Sequence, residues 1–356
     1  MDLSVFFKDL KVVELASVLA GPAVGMFFAE LGADVLKVEN PNTGGDVTRT
    51  WRIKGEKNDP AAYFHSINYK KKSIFLDLKD EENYKKLLVH LKDADIVVSN
   101  YSDDIAIKLG VDYPTLQKRF PKLIFAQLNS FESDRSRPAY DVVLQAETGF
   151  LSMTGLDEQN LAKMPVALID VLAAHQLKEG LLCAYIHRLK TGLGSKVTTS
   201  LESSAITSLI NQATNYLMAN HIPKPMGTLH PNIAPYGDIF TTEDRVKLVL
   251  AVGTEKQFTN LCDILKTTTL ASDPRFSENA LRVTNRAELQ DALQTGFDKI
   301  DYESFSKVAN QLKVPFGKIK NMKEVFQTQA AKDLLREENN AEGQSVRVSS
   351  VAFEIK

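Results

Sequence analysis

Short β-branched apolar runs alternate with stretches of helical spacing over the first part of the chain. Lys11–Ala16 reads as a buried strand, which Gly21-Pro22 breaks. Ala23–Leu31 reads as a helix, with Gly32 just beyond its end as a cap. Asp34–Val38 predicts the next strand, and Asn40–Asp46, with Pro41, Gly44 and Gly45, a loop. Ser73–Leu78 is strand-like, and Asp80 can cap a helix running to about Leu91. Asp95–Ser99 follows as a strand, and two short helical patterns lead to another at Leu123–Leu128. Strands separated by helices predict an α/β fold, a Rossmann-like doubly wound parallel sheet.

Val166–Lys190 is mostly apolar with helical spacing and ends at Thr191-Gly192-Leu193-Gly194. Lys196–Ser200 predicts a strand and Leu201–Met218 a helix. The texture then changes: His221–Pro235 holds Pro223, Pro225, Pro231 and Pro235 and reads as a linker. Ile239–Thr242 and Lys247–Val252 predict a hairpin around Glu243-Asp244. Helices are expected at Glu255–Leu265, Arg286–Phe297 and Tyr302–Gln311, and a closing strand at Ser345–Ile355. The expected division is a large domain over 1–220, to which 331–356 returns, and a second, smaller α+β domain over 221–330.

Composition narrows the class. A chain of 356 residues suggests about two domains. With 43 basic and 45 acidic residues the net charge is −2, which gives no general attraction to nucleic acid. No apolar run approaches the ~18 residues that would span a membrane. The opening Met1-Asp2-Leu3-Ser4 lacks a basic stretch ahead of an apolar run, so no signal peptide is expected and the cytoplasm is the simplest compartment. Cys183 and Cys262 cannot form a disulfide framework and read as buried apolar residues.

Ligands of parallel sheets bind at the carboxyl ends of the strands. After the first strand comes Ser17-Val18-Leu19-Ala20-Gly21-Pro22, which is not GxGxxG and weighs against a dehydrogenase. Lys70-Lys71-Lys72 reads either as a solvated strand entry or as a phosphate contact. Asp170 stands out, flanked by apolar Val166–Ile169 and Val171–Ala174; an Asp there needs a partner or a role, and capping the following helix is one. His175 is five residues on and reads as a packing or surface histidine. No histidine spacing suggests a metal site; only His230, in the Pro-rich linker, falls near a candidate site.

At this point the chain resembles the class III CoA-transferases, with their formyl-CoA, carnitine and alpha-methylacyl-CoA racemase relatives. The resemblance rests on Leu15–Pro22, Leu31-Gly32-Ala33-Asp34-Val35 with Lys37-Val38-Glu39, Gly45-Asp46 with Arg49, and Asn100-Tyr101 with Lys108-Leu109-Gly110. It continues through Tyr140-Asp141, Gly227 with His230-Pro231, and Asp273-Pro274-Arg275-Phe276. It implies an interlocked homodimer, an acyl-CoA and a carboxylic acid as substrates, and coenzyme A as substrate with no permanently bound cofactor or metal. It also implies an aspartyl nucleophile at Asp170, with Tyr140, Leu19 and His230 as active-site neighbours. The implied CoA pocket comprises Val18, Leu19, Ala20, Asn40, Leu76, Leu78, Lys79, Asn100, Tyr101, Lys108 and Leu109.

Tyr140 stands where the racemases carry a proton-shuttling histidine, and a phenol with a pKa near 10 is a poor substitute. The expected activity is therefore CoA transfer through a mixed anhydride. The alternatives are a racemase-like isomerase and a CoA-binding protein without turnover. Leu19 replaces a glutamine of formyl-CoA transferases, and Met226–Tyr236 resembles the members without a glycine-rich flap; a bulkier acyl group is expected. Asn40 replaces a frequent basic residue. Relatives continue some tens of residues past the equivalent of Lys356.

Overall fold

Six parallel strands form the central sheet of the computed structural model, which describes residues 1–134 and 137–356. They are β1 (Lys11–Leu15), β2 (Asp34–Glu39), β3 (Lys71–Phe75), β4 (Ile96–Ser99), β5 (Ile124–Asn129) and β6 (Lys196–Ser200). Their order is β3-β2-β1-β4-β5-β6, and every neighbouring pair is parallel. The intervening helices are α1 (Ala20–Glu30), the single turn α2 (Ala62–His65), α3 (Glu81–Lys92), α4 (Asp103–Lys108) and α5 (Tyr113–Arg119). They continue with α6 (Asp141–Glu147), the single turn α7 (Phe150–Met153) and the long α8 (Leu168–Thr191). Successive strand residues point to opposite faces. Val12, Val35, Ile96, Val98 and Ile124 pack on Val24 and Phe28 of α1 and Ala173 and Leu177 of α8. Val13, Leu15, Val97 and Phe125 pack on Leu87 of α3, Ala106 of α4 and Leu116 of α5. Helices thus cover both faces of the sheet, as a parallel sheet requires.

The chain divides into two compact units. The first comprises Met1–Leu151, Lys163–Pro223 and Gln329–Lys356; the second comprises Ser152–Ala162 and Lys224–Thr328. The second unit is built on an antiparallel sheet of β7 (Tyr236–Thr241), β8 (Lys247–Ala251) and β9 (Phe316–Lys318). Phe240, Leu248, Phe258, Phe297 and Phe305 fill its core. The chain closes in the first unit with an antiparallel pair, β10 (Leu335–Asn340) and β11 (Gly343–Val348). No helix among the described residues is long and apolar enough to cross a membrane.

Local chemistry explains where elements depart from expectation. Helix α1 begins at Ala20, so Gly21-Pro22 lies inside its first turn. Proline is tolerated there because its missing N–H would have no partner in the helix. A Cβ on Gly21 would come within 2.5 Å of the Ala16 Cβ, so glycine lets the helix start against the end of β1. Strand β3 ends at Phe75 rather than at Leu78, because its partner β2 stops at Glu39, ahead of Asn40-Pro41. The helix expected over Leu201–Met218 is broken into α9 (Leu201–Thr207) and α10 (Ile210–Ala219). The Ser208 hydroxyl donates to the Ser204 carbonyl (2.7 Å), and Thr207 bonds back to Ser203 in the same way. Such bonds compete with the helical ladder. The strand expected over Ser345–Ile355 stops at Val348. Cys183, expected to be buried, is exposed on α8, whereas Cys262 is buried.

Candidate active site

Two cavities open at the carboxyl ends of the strands, and Ser17, Tyr101 and Ile105 line both. The first, about 440 Å³, gathers Asn40, Leu76, Leu78, Lys79, Lys108 and Leu109. The second, about 540 Å³, gathers Val18, Leu19, Ala20, Asn100, Tyr140 and Asp170. Residues 18 to 170, far apart in sequence, meet because the strand order brings the ends of β1, β4 and β5 side by side. His230 belongs to the second unit, where its Nδ1 accepts from the Asn232 N–H (3.1 Å) and its ring lies beside Tyr236.

The loop between β1 and α1 forms the wall shared by the cavities, and a buried ionic cluster holds it. Lys37 Nζ lies 2.9 Å from Glu14 and 3.0 Å from Asp46, and donates to the Ala16 carbonyl at 2.7 Å. Lys71 Nζ lies 2.8 Å from the other Glu14 oxygen and donates to the Pro22 carbonyl and to Asn68. All four charged side chains are sealed from solvent. Lys71 therefore points inward, away from exposed Lys70 and Lys72, and is neither a solvated entry residue nor a phosphate contact. Gly25 makes room: a Cβ there would sit 2.0 Å from a Glu14 carboxylate oxygen. Burial pulls the Lys37 ammonium down, but the Glu14 and Asp46 carboxylates outweigh it and hold its pKa above the ordinary value. Burial lowers Lys71 to about 8, because Glu14 only partly offsets it and Lys37 repels it.

Asp46 carries this cluster into the wall. Both of its oxygens accept from the Val18 N–H, at 3.2 and 3.3 Å. Val18 has φ 75°, a strained conformation for a β-branched residue. The Asn100 amide accepts from the Ser17 N–H (3.2 Å) and donates to its carbonyl (2.9 Å). These bonds orient the backbone that leads to Leu19 and Ala20, at the start of α1.

Asp170 is the third residue of α8, and the helix cap is Ala167, which makes no side-chain capping bond. The capping role read for Asp170 falls instead to Asp141 at the start of α6, whose Oδ1 accepts from the Ile169 N–H at 2.7 Å. The other Asp141 oxygen accepts from Gln145, and Gln145 accepts from the Met164 N–H. With its capping need met from outside, the Asp170 carboxyl is left to face the second cavity, 8% exposed. Burial, and then the Asp141 charge, push its pKa up to about 7. Burial and the same two carboxylates push the Tyr63 phenol up to about 12. Trp51 packs on Tyr63 at 5.2 Å and on Tyr140 at 6.3 Å; Tyr140 is the exposed residue ahead of α6.

A nearly buried carboxyl whose pKa is raised to about 7, in a cavity adjoining one lined by Lys79, Lys108 and the ion-paired Lys37, suits nucleophilic or acid–base work on an anionic ligand. Sequence reasoning quoted Asp141, Lys37 and Asp46 as motif residues without a role, misassigned Lys71, and missed Glu14, Trp51 and the place of Tyr63 beside the site. One signal was available: Glu14 and Lys37 are charges of opposite sign interior to β1 and β2, where the other charged residues stand at strand ends, and the two are register partners.

Comparisons with known proteins converge. The model of CoA-transferase family III matches residues 7–356. Succinate–glutarate CoA-transferase of Agrobacterium fabrum is 36% identical over 90% of this chain and 81% of its own length. Human succinyl-CoA:glutarate CoA-transferase is 32% identical over 90% of this chain and 73% of its own. The crystal structure of a CAIB/BAIF family protein from Brucella suis superposes with a TM-score of 0.85 at 34% identity, covering 97% of this chain and 91% of that one.

Proposed function

This chain belongs to CoA-transferase family III and is a CoA-transferase, and from that premise we propose that it moves CoA between dicarboxylic acids through a covalent intermediate on Asp170. The observation that carries the reading is the nearly buried Asp170 carboxyl in the cavity next to the one holding Lys79 and Lys108. In this reading the first cavity takes the nucleotide end of CoA, with the two ammonium groups toward its phosphates. The pantetheine arm passes Ser17 and Tyr101, and the thioester lies beside Asp170.

The steps balance without a co-reactant. An Asp170 oxygen adds to the thioester carbonyl carbon, and the carbonyl π pair moves onto oxygen. Collapse breaks the C–S bond, so CoA leaves as thiolate and a mixed anhydride remains. The thiolate then attacks the aspartyl carbonyl, releases the donor acid as carboxylate and leaves an aspartyl thioester. The acceptor carboxylate displaces CoA from that thioester to form a second anhydride. CoA finally attacks the acyl carbon, giving the new acyl-CoA and free Asp170. One difficult exchange becomes several easier ones. Burial serves this chemistry: a carboxylate with a pKa near 7 is a stronger base, when ionised, than an ordinary one.

A dicarboxylic acid substrate is supported by the two relatives named for succinate or succinyl-CoA and glutarate. Leu19, an apolar residue on the wall, fits the methylene chain of such an acid. Mixing the purified chain with succinyl-CoA and glutarate is expected to yield glutaryl-CoA. Binding of CoA with no transfer to glutarate, mesaconate or other dicarboxylic acids of similar length would contradict the substrate class. A homodimer belongs to the same reading: α10 leaves Ile210, Leu217 and Met218 largely exposed, an apolar face of the kind that a second chain covers.

Asp141 gives the reading a pH signature. Asp141→Asn keeps an oxygen for the Ile169 N–H but removes the charge that helps hold Asp170 up. The acidic limb of the kcat/KM profile should move to lower pH, by on the order of one unit. A limb that stays at the parental pH would show that the Asp141 charge does not act on the essential carboxyl.

A further inference from the structure

Arg137 lines the Asp170 cavity, and among the described residues it is the one cationic side chain that does. Lys79 and Lys108 line the neighbouring cavity only. The Arg137 guanidinium carbon sits 4.3 Å from the ring centroid of Phe131, a buried residue two positions beyond β5. Glu147, the last residue of α6, accepts a bidentate pair: Nη1 donates to Oε2 at 2.9 Å, and Nη2 donates to Oε1. The two side chains are 45% and 43% exposed, so a solute can reach both. A guanidinium carries five N–H donors, and Glu147 takes two of them. Among the described residues no other group accepts from this guanidinium. Three donors are left on a planar head that is stacked on a ring and tied to a carboxylate.

A dicarboxylic acid has two ends with different needs. One carboxyl reacts at Asp170, as a thioester or as the attacking group. The other stays ionised, and in a cavity that already holds a carboxylate it needs a cation. We propose that Arg137 selects dicarboxylic acids, its unused N–H groups donating to the free carboxylate of the substrate while the other end reacts at Asp170. This inference rests on the reading of the chain as a dicarboxylate CoA-transferase. Arginine suits the task, because its fork matches both oxygens of a carboxylate and it stays charged at any working pH. Glu147 fixes one side of the fork and leaves the rest open. One such residue serves donor and acceptor alike, since succinyl-CoA and glutarate each carry one carboxylate that does not react.

Arg137→Met keeps an apolar stem and removes the donors. The probes are two acceptors of one length, glutarate and its monoamide glutaramate, each offered with succinyl-CoA as donor. In a ping-pong exchange, kcat/KM for the acceptor reports its own half-reaction. The parent should favour glutarate. In Arg137→Met, kcat/KM for glutarate should fall on the order of 10-fold or more, while that for glutaramate changes less than about threefold. Losing a half-exposed ion pair should move the thermal midpoint by less than about 2 °C. Glu147→Gln breaks the ion pair but leaves the arginine, and should keep the preference for glutarate. The inference is overturned if Arg137→Met retains the parental preference. It is equally overturned if Glu147→Gln loses that preference to the same extent, since the pair and not the arginine would then be what the site needs. Should Arg137→Met not fold, Arg137→Gln decides in the same way. A parent chain that transfers CoA to glutaramate as readily as to glutarate sinks the dicarboxylate reading, and this inference with it. A parent that prefers glutarate, beside an Arg137→Met that still does, sinks only the role of Arg137.

Discussion

Asp170→Asn lowers kcat for CoA transfer on the order of 10⁴-fold or more, while CoA still binds. The first number follows from removing the group that forms the covalent bond. The second follows from where the residue sits: Asp170 lines the second cavity, whereas Lys79 and Lys108 line the first. The same variant has a stability signature with a defined sign. The Asp170 pKa is raised from 3.8 to about 7, so the folded chain holds this proton more tightly than the unfolded one. The stability this contributes is full below pH 3.8 and is lost as pH climbs through 7. Asparagine suffers no such loss. The variant should therefore match the parent near pH 4 and exceed it above pH 7, by at most about 4 kcal/mol. Urea unfolding at the two pH values reads this directly; equal midpoints at pH 8 would mean that the charged carboxyl is not paying a burial penalty.

The second large effect lies in the ionic cluster. Glu14→Gln keeps the volume but leaves Lys37 with Asp46 alone and takes from Lys71 the carboxylate it faces. Breaking one partner out of a buried ionic group costs about 3–5 kcal/mol. For a chain of this size the thermal midpoint should fall on the order of 10 °C. The Lys71–Glu14 approach is an ion pair without hydrogen-bond alignment, since the Glu14 oxygen that faces Lys71 accepts no aligned bond. The Lys37 side, with its aligned bond to Glu14, is where most of the loss should arise. A midpoint within about 2 °C of the parent would show that the interior tolerates these cations without Glu14. The cluster also reaches the site, because Asp46 holds the strained Val18 in the wall between the cavities.

Much of the architecture was legible because it is local. The branched runs of β1, β2 and β4 predict strands, and Asp80 caps α3 as read, accepting from the Asn83 N–H. Gly32 and Gly192 take the left-handed conformations that end α1 and α8. The family resemblance and the CoA-transferase activity were legible from short motifs spread over the chain. What escaped the sequence is what tertiary contact decides. Asp141 caps a helix that starts 27 residues later in the chain, so no local pattern around Asp170 reveals it. The middle lysine of Lys70-Lys71-Lys72 turns inward because strand alternation aims it at Glu14. The break between α9 and α10 depends on hydroxyls choosing carbonyls over water.

The central claim is that Asp170 becomes covalently loaded during turnover, and peptide mass spectrometry tests it most directly. The chain is mixed with succinyl-CoA, quenched in acid within the first turnovers, digested and mapped. The account predicts a CoA or succinyl adduct on the peptide carrying Asp170, lost on adding hydroxylamine or the acceptor acid and absent from Asp170→Asn. An unmodified Asp170 peptide at every time point, in a preparation that is transferring CoA, would contradict it.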